Sequence, residues 1–253
     1  MKTKINFLIV ISLLFIYSSS SYSQNQLAKL FVMEDIVNPS KVAEYEKAQQ
    51  DMNSFLKKRN FKSTWRAYST DESVYYFVMP ITSLAGLDSL YASWYGAMEK
   101  YNKEGLGQLM TNFAGTAKSS GNMVLQQSEH SYHPANSYLN PMDAGFLHFD
   151  FFDIIPGKEM EAWALLGEYK KLCEKNKFEE PFNVWQVMVG NPSSRIIFTN
   201  YAKDEVDYYT RNKKNTEVLM KNASDLYVKF MACVEKFSHF NGKPRKDLSY
   251  DVK

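Results

Sequence analysis

A histidine and an aspartate stand two residues apart, His148 and Asp150, in a segment otherwise built of Phe146, Leu147, Phe149, Phe151 and Phe152. Alternate residues of an extended strand share a face, so Phe146, His148, Asp150 and Phe152 fall on one side and Leu147, Phe149 and Phe151 on the other. The wholly apolar side is expected to meet helices, which sends His148 and Asp150 into the space between sheets. Asp35, with Phe31 and Met33 on one face of an earlier strand, is expected on the matching side. A histidine and two carboxylates desolvated among aromatic rings have shifted pKa values and can trade protons with a ligand. The same groups, fully hydrogen-bonded to one another, would instead fix how two halves dock.

Two tryptophans with polar neighbours form a second constellation: Trp65 beside Arg66 and Trp185 beside Gln186. Their flat faces could line a pocket for a flat ligand that the polar neighbours orient, or they could serve core packing. The other histidines, His130, His133 and His239, show no metal-ligand spacing on a common element, so no metal site is expected. There is no glycine-rich phosphate loop, Gly-x-Ser-x-Gly elbow or His-Glu-x-x-His, which removes most support for a serine hydrolase, zinc protease or nucleotide-binding protein. Asn222-Ala223-Ser224 matches a glycosylation sequon but falls inside an expected helix.

The elements that must position these residues are written twice. Asn38-Pro39-Ser40-Lys41, a helical stretch to Phe61, Trp65 and a strand at Phe77 recur as Ile155-Pro156-Gly157-Lys158, a helical stretch to Phe178, Trp185 and a strand at Phe198. Lys41 and Lys158, like Phe61 and Phe178, are 117 positions apart, while the tryptophans lie 120 apart and the strand phenylalanines 121, a drift attributed to loop insertions. So long a period indicates two domain-sized halves. Hydrophobic periodicity gives each half the order strand, helix, strand, strand, helix, strand. In the second half the last helix is expected over 218–236, followed by a short strand over 237–240. Residues 24–128 make the first repeat, 129–144 a linker with Pro134 and Pro141, and 145–253 the second repeat with a tail. A tail motif, Pro134 with Ser137-Tyr138 and Pro244 with Ser249-Tyr250, suggests that two tails pack equivalently.

Residues 1–23 read as a secretory signal peptide, with Lys2 and Lys4, an apolar run Ile5 to Tyr17, and small residues before Gln24. The expected destination is the periplasm or the exterior, with no membrane span once the leader is removed. Without Lys2 and Lys4, the 30 basic residues become 28, matching 28 acidic ones. A neutral chain without a basic cluster lacks the footprint for nucleic acid. With 45% hydrophobic and 15% aromatic residues it can bury a large core. Cys173 and Cys233 could pair in an oxidising compartment or act as small buried hydrophobes.

The order of elements is the split βαβ pattern of ferredoxin-like folds, and it predicts an α+β protein of two tandem ferredoxin-like (βαββαβ) repeats forming a pseudo-dimeric α/β barrel. With the Pro-x-Lys turns at Pro39 to Lys41 and Pro156 to Lys158, the chain resembles the dimeric α/β-barrel superfamily, including the antibiotic-biosynthesis monooxygenase and NIPSNAP-like groups. The aromatic faces of this fold lead to a reading as a non-enzymatic protein that binds a small apolar or aromatic molecule, held between sheet and helices or between the two sheets. Alternatives are a cofactor-independent or haem-linked monooxygenase using His148 and Asp150, or an interaction protein of the cell envelope. No bound cofactor is expected, except haem under the monooxygenase alternative.

Overall fold

The computed structural model describes residues 27–134 and 140–251. The expected leader and the Ser137-Tyr138 part of the tail motif lie outside the described residues. The first half runs β1 (Lys29–Val37), α1 (Val42–Lys58), β2 (Arg66–Thr70), β3 (Val74–Ile81), α2 (Gly86–Tyr101), α3 (Leu106–Thr111) and β4 (Ala117–Gln127). The second runs β5 (Phe146–Ile154), α4 (Glu159–Asn176), β6 (Phe182–Val189), β7 (Arg195–Ala202), α5 (Glu205–Met231) and β8 (Val234–Pro244).

The two sheets do more than face one another. The eight strands of the described residues join in one closed antiparallel barrel, in the order β1-β3-β2-β8-β5-β7-β6-β4. Within each half the outer strands flank the same inner pair, and the halves are stitched at two seams. At one seam Thr70 of β2 pairs with Gly242 of β8, and at the other Leu125 of β4 pairs with Val187 of β6. Closure leaves no strand edge unpaired. Gly242 is required at its seam, because a Cβ there would come within 2.4 Å of the Ser69 carbonyl oxygen.

Each half carries its helices on the outer face of its own four strands. The first outer core gathers Phe31, Tyr45, Leu56, Trp65 and Phe77, and the second Ile154, Leu166, Phe182, Val184 and Phe198. A third core fills the lumen with Val32, Leu125, Leu147, Phe149, Trp185 and Ile197. Burying each such side chain contributes about 1.5–3 kcal/mol, which makes the choice of face decisive for a strand that is apolar on both sides.

Strand alternation therefore sorts the residues as expected, but the assignment of faces is inverted. Leu147, Phe149 and Phe151 point into the lumen, whereas Phe146, His148, Asp150 and Phe152 face the helices. The lumen wall is largely apolar and its cavity is lined by no carboxylate or histidine, so the all-apolar face goes inside. The helix layer, which brings asparagines and a glutamate, receives the polar pair. The same correction applies to β1, where Val32 faces the lumen while Phe31 and Met33 join the first outer core.

The last helix is the other departure. α5 spans 27 residues from Glu205, where Asp204 caps it by accepting from the Asp207 amide, and β8 is longer than expected at 11 residues. The polar stretch after Asp204 hides the helical period because only part of its surface is covered. Ala223 interrupts α5 with non-helical torsion angles. Cys173 and Cys233 are buried free thiols. Among the described residues no helix is long and apolar enough to cross a membrane.

Candidate functional site

The helix-facing side of the second half presents Phe182 from β6, Phe198 and Asn200 from β7, and His148, Asp150 and Phe152 from β5. Over this face α4 and α5 leave a cavity of about 220 Å3. Its wall is largely aromatic and aliphatic, with Tyr169, Phe198, Leu219 and Phe230 among the lining residues. Its polar residues include Asp150, Glu180, Asn200, Asn212, Asn215 and Thr216, with Tyr208 also in the lining.

Glu180 is the buried acid of this cavity, with 5% of its surface exposed. It sits in the connection between α4 and β6, drawn inward because Phe178 and Phe182 on either side are both anchored in the second outer core. Asn200 donates to Glu180 Oε1 at 3.0 Å and Asn215 of α5 donates to Oε2 at 3.1 Å. Burial pushes its pKa up to about 7, against the opposing pull of Arg211, the Asn215 hydrogen bond and His148, with Asp150 adding to the rise. A carboxyl poised there is divided between its acid and base forms at neutral pH, which suits it to accept a proton from a bound molecule.

His148 is held at the border of the cavity by a chain of hydrogen bonds. Asn241 Nδ2 donates to the Tyr209 hydroxyl at 3.3 Å, which turns Asn241 Oδ1 toward His148 Nδ1 at 2.7 Å. On that network Nδ1 carries a proton and Nε2 faces Asp150 Oδ1 at 3.1 Å. Tyr208 stacks on the imidazole with ring centroids 4.7 Å apart. Burial pulls the His148 pKa down, but the hydrogen bond and charge of Asp150 outweigh it, and the net shift is upward.

Of the residues singled out in the sequence, only His148 and Asp150 come together, and they do so under the helices. Asp35 lies in the first half, where it accepts from the Tyr45 hydroxyl at 2.5 Å. β1 and β5 are four strands apart around the barrel, so Asp35 does not join His148. Trp65 is core: it stacks on Tyr250 at 4.6 Å and donates from Nε1 to the Leu248 carbonyl at 3.1 Å. Arg66 faces the lumen and pairs with Asp251 at 2.5 Å. Trp185 lines the lumen and donates to Thr199 Oγ1 at 3.1 Å, while Gln186 points outward and is exposed.

The two tryptophans are thus not equivalents. Ala67 pairs with Phe77 as Val184 pairs with Phe198, which makes Tyr68 the counterpart of Trp185 and Trp65 that of Phe182. Both correspondences keep the 117-residue offset, and the insertion that shifts the strand phenylalanines sits in the β6–β7 turn. The lumen holds its own cavity of about 360 Å3, with an almost wholly apolar lining. Trp185 donates to Thr199, Arg66 to Asp251 and Gln127 to Asn183, and no carboxylate or histidine lines this cavity, so the lumen offers shape without acid–base chemistry.

Glu180, Asn200, Asn215 and Tyr208 were not singled out in the sequence. The signal for Glu180 was local, an acid and a proline enclosed by two phenylalanines in Phe178-Glu179-Glu180-Pro181-Phe182. The asparagines carried none, because they reach the carboxylate from a different strand and helix.

No protein-family profile and no curated protein matches the chain. Solved structures do. An anthrone oxidase-like protein superposes with a TM-score of 0.57 at 11% identity, over 88% of this chain and 92% of that one. A candidate monooxygenase from Fusobacterium nucleatum gives 0.53 at 12% identity, over 87% and 94% of the two chains. Another from Lactobacillus acidophilus gives 0.53 at 7% identity, over 90% and 97%. At these identities the likeness establishes the fold alone, here a closed eight-stranded antiparallel barrel with both halves on one chain.

Proposed function

We propose that this protein binds a small, flat aromatic molecule in the cavity between the second-half sheet and helices α4 and α5. The observation that carries the reading is Glu180, a buried carboxyl with a pKa of about 7, facing an aromatic wall. Aromatic rings supply apolar contact, and Glu180 with its two asparagines selects a ligand bearing an acidic O–H or C–H. 2-Naphthol is a suitable probe, since its emission reports both burial and loss of its proton. The expected result is saturable binding to the native chain that is lost in Leu219→Trp, which fills the cavity. Equal binding by the two proteins would overturn the reading.

A second reading, an oxygenase that works without a bound cofactor, is favoured by the same poised carboxyl and accords with the activities named for the similar structures. Glu180 would take a proton from an activated CH2 group, and the resulting carbanion would react with dioxygen to give a carbonyl and water. Anthrone supplies such a group. Dioxygen uptake with anthrone by the native chain, abolished in Glu180→Gln, is the expected signature, and equal uptake by both would remove Glu180 from the reaction.

Haem fits this site poorly. No histidine lines the cavity, and His148, which adjoins it, is covered on its ring face by Tyr208. An absorption titration with haem is expected to show no Soret shift that depends on His148.

A further inference from the structure

β5 and β8 run antiparallel with Asp150 directly opposite His239 and His148 directly opposite Asn241. All four side chains therefore emerge on the helix-facing side of two neighbouring strands. One ligand atom each from His148, Asp150 and His239 lies within 4.8 Å of the others, the one such grouping found among the described residues. We propose that these three side chains form a binding site for a divalent transition-metal cation.

The support comes from chemistry as well as proximity. Two imidazoles and one carboxylate form a donor set suited to zinc, iron(II), copper(II) or nickel(II), and a poor match for calcium or magnesium. The hydrogen bond from His148 Nδ1 to Asn241 Oδ1 leaves the Nε2 lone pair aimed toward Asp150 Oδ1, 3.1 Å away. Two acceptors at that distance need a proton or a cation between them. Metal-bound histidines characteristically donate their remaining N–H to a carbonyl-type oxygen, the part Asn241 plays here, itself oriented by Tyr209. Atoms bound to zinc at about 2.1 Å lie roughly 3–3.5 Å from one another, so the present spread asks for a small closing movement. His239 is the ligand able to make it, being exposed while His148 is buried. Three protein ligands leave at least one position for water or a ligand atom, the arrangement of an open site. The sequence concealed this set because His239 is far from His148 along the chain and reaches it only through strand pairing.

The site is independent of the aromatic ligand, although Asp150 also lines the cavity. Calorimetric titration of the full chain with Zn2+, and the visible absorption of Co2+ added in its place, test the proposal. One cation per chain is expected, with visible bands showing nitrogen ligation. Affinity should fall by at least tenfold in His239→Ala and Asp150→Asn, and by about 10–100-fold in Asn241→Ala, which spares the ligands and removes the orienting carbonyl. His133→Ala should bind the cation as the native chain does, and the cation should still bind to Leu219→Trp, which abolishes the proposed aromatic binding, so the two proposals fail separately. Circular dichroism confirms that each variant is folded. Undiminished affinity in folded His239→Ala, or no saturable binding by the native chain, overturns the assignment and leaves an imidazolium paired with Asp150.

Discussion

Tyr132 and Tyr250 occupy equivalent places in the two halves, each crossing to the other half. Tyr132, just after β4, bridges to Phe182 and its hydroxyl donates to the Phe178 carbonyl at 2.9 Å. Tyr250, after β8, bridges to Trp65 and donates to the Phe61 carbonyl at 3.1 Å. The tails therefore exchange between halves and tie each β-strand entry to the end of the preceding helix. The Tyr138 of the recurrent tail pattern lies outside the described residues, and among those described the counterpart of Tyr250 is Tyr132.

This exchange makes a stability prediction. Tyr132→Phe and Tyr250→Phe each remove one buried hydrogen bond and leave a carbonyl unsatisfied, so each should cost about 1–3 kcal/mol in urea unfolding. A loss in only one of the two would show that the tails do not act equivalently.

Glu180 makes the fold pH-dependent. Its folded pKa is raised from 4.5 to about 7, so the unfolded chain releases this proton first as pH increases. The carboxyl thus costs nothing below pH 4.5, and stability is lost as pH rises from there toward 7, by a total on the order of 3 kcal/mol. The groups that act on it are Arg211 from α5 and His148 and Asp150 from β5, with Asn215 as its hydrogen-bond partner from α5. Glu180→Gln should flatten this part of the profile. Asn215→Ala should move the midpoint of the fall upward, because the Asn215 hydrogen bond favours the charged form. Identical pH profiles for the native chain and Glu180→Gln would contradict the assignment.

The orientation of β5 can be tested by truncating the lumen. Leu147 is 1% exposed and packed inside the barrel, so Leu147→Ala should cost about 2–5 kcal/mol. The same variant should leave 2-naphthol binding intact, since Leu147 does not line the helix-side cavity. Loss of binding in a protein that remains folded would place the ligand in the lumen.

The fold was legible in the chain because duplication preserves element order, and the 117-residue offset carries through from Lys41 and Lys158 to Tyr68 and Trp185. Alternation also separated Leu147, Phe149 and Phe151 from His148 and Asp150. It could not say which set faced inward, since β5 is apolar on both sides and closure of the barrel, a long-range event, decides the matter. Trp65 and Trp185 were mispaired because identity of residue type was taken over phase. Glu180 and His239 were overlooked for a shared reason: their partners come from other elements, and spacing along one element carries no trace of them.

The central claim is that a flat aromatic ligand sits under α4 and α5 of the second half, beside Glu180. The most direct measurement is a crystal structure of the native chain soaked with 6-bromo-2-naphthol, the bromine located by its anomalous scattering. The account predicts a single bromine peak between the β5–β7 face and α5, with the naphthol oxygen within hydrogen-bond reach of Glu180. A peak inside the barrel beside Trp185, with the helix-side cavity unchanged, would contradict it.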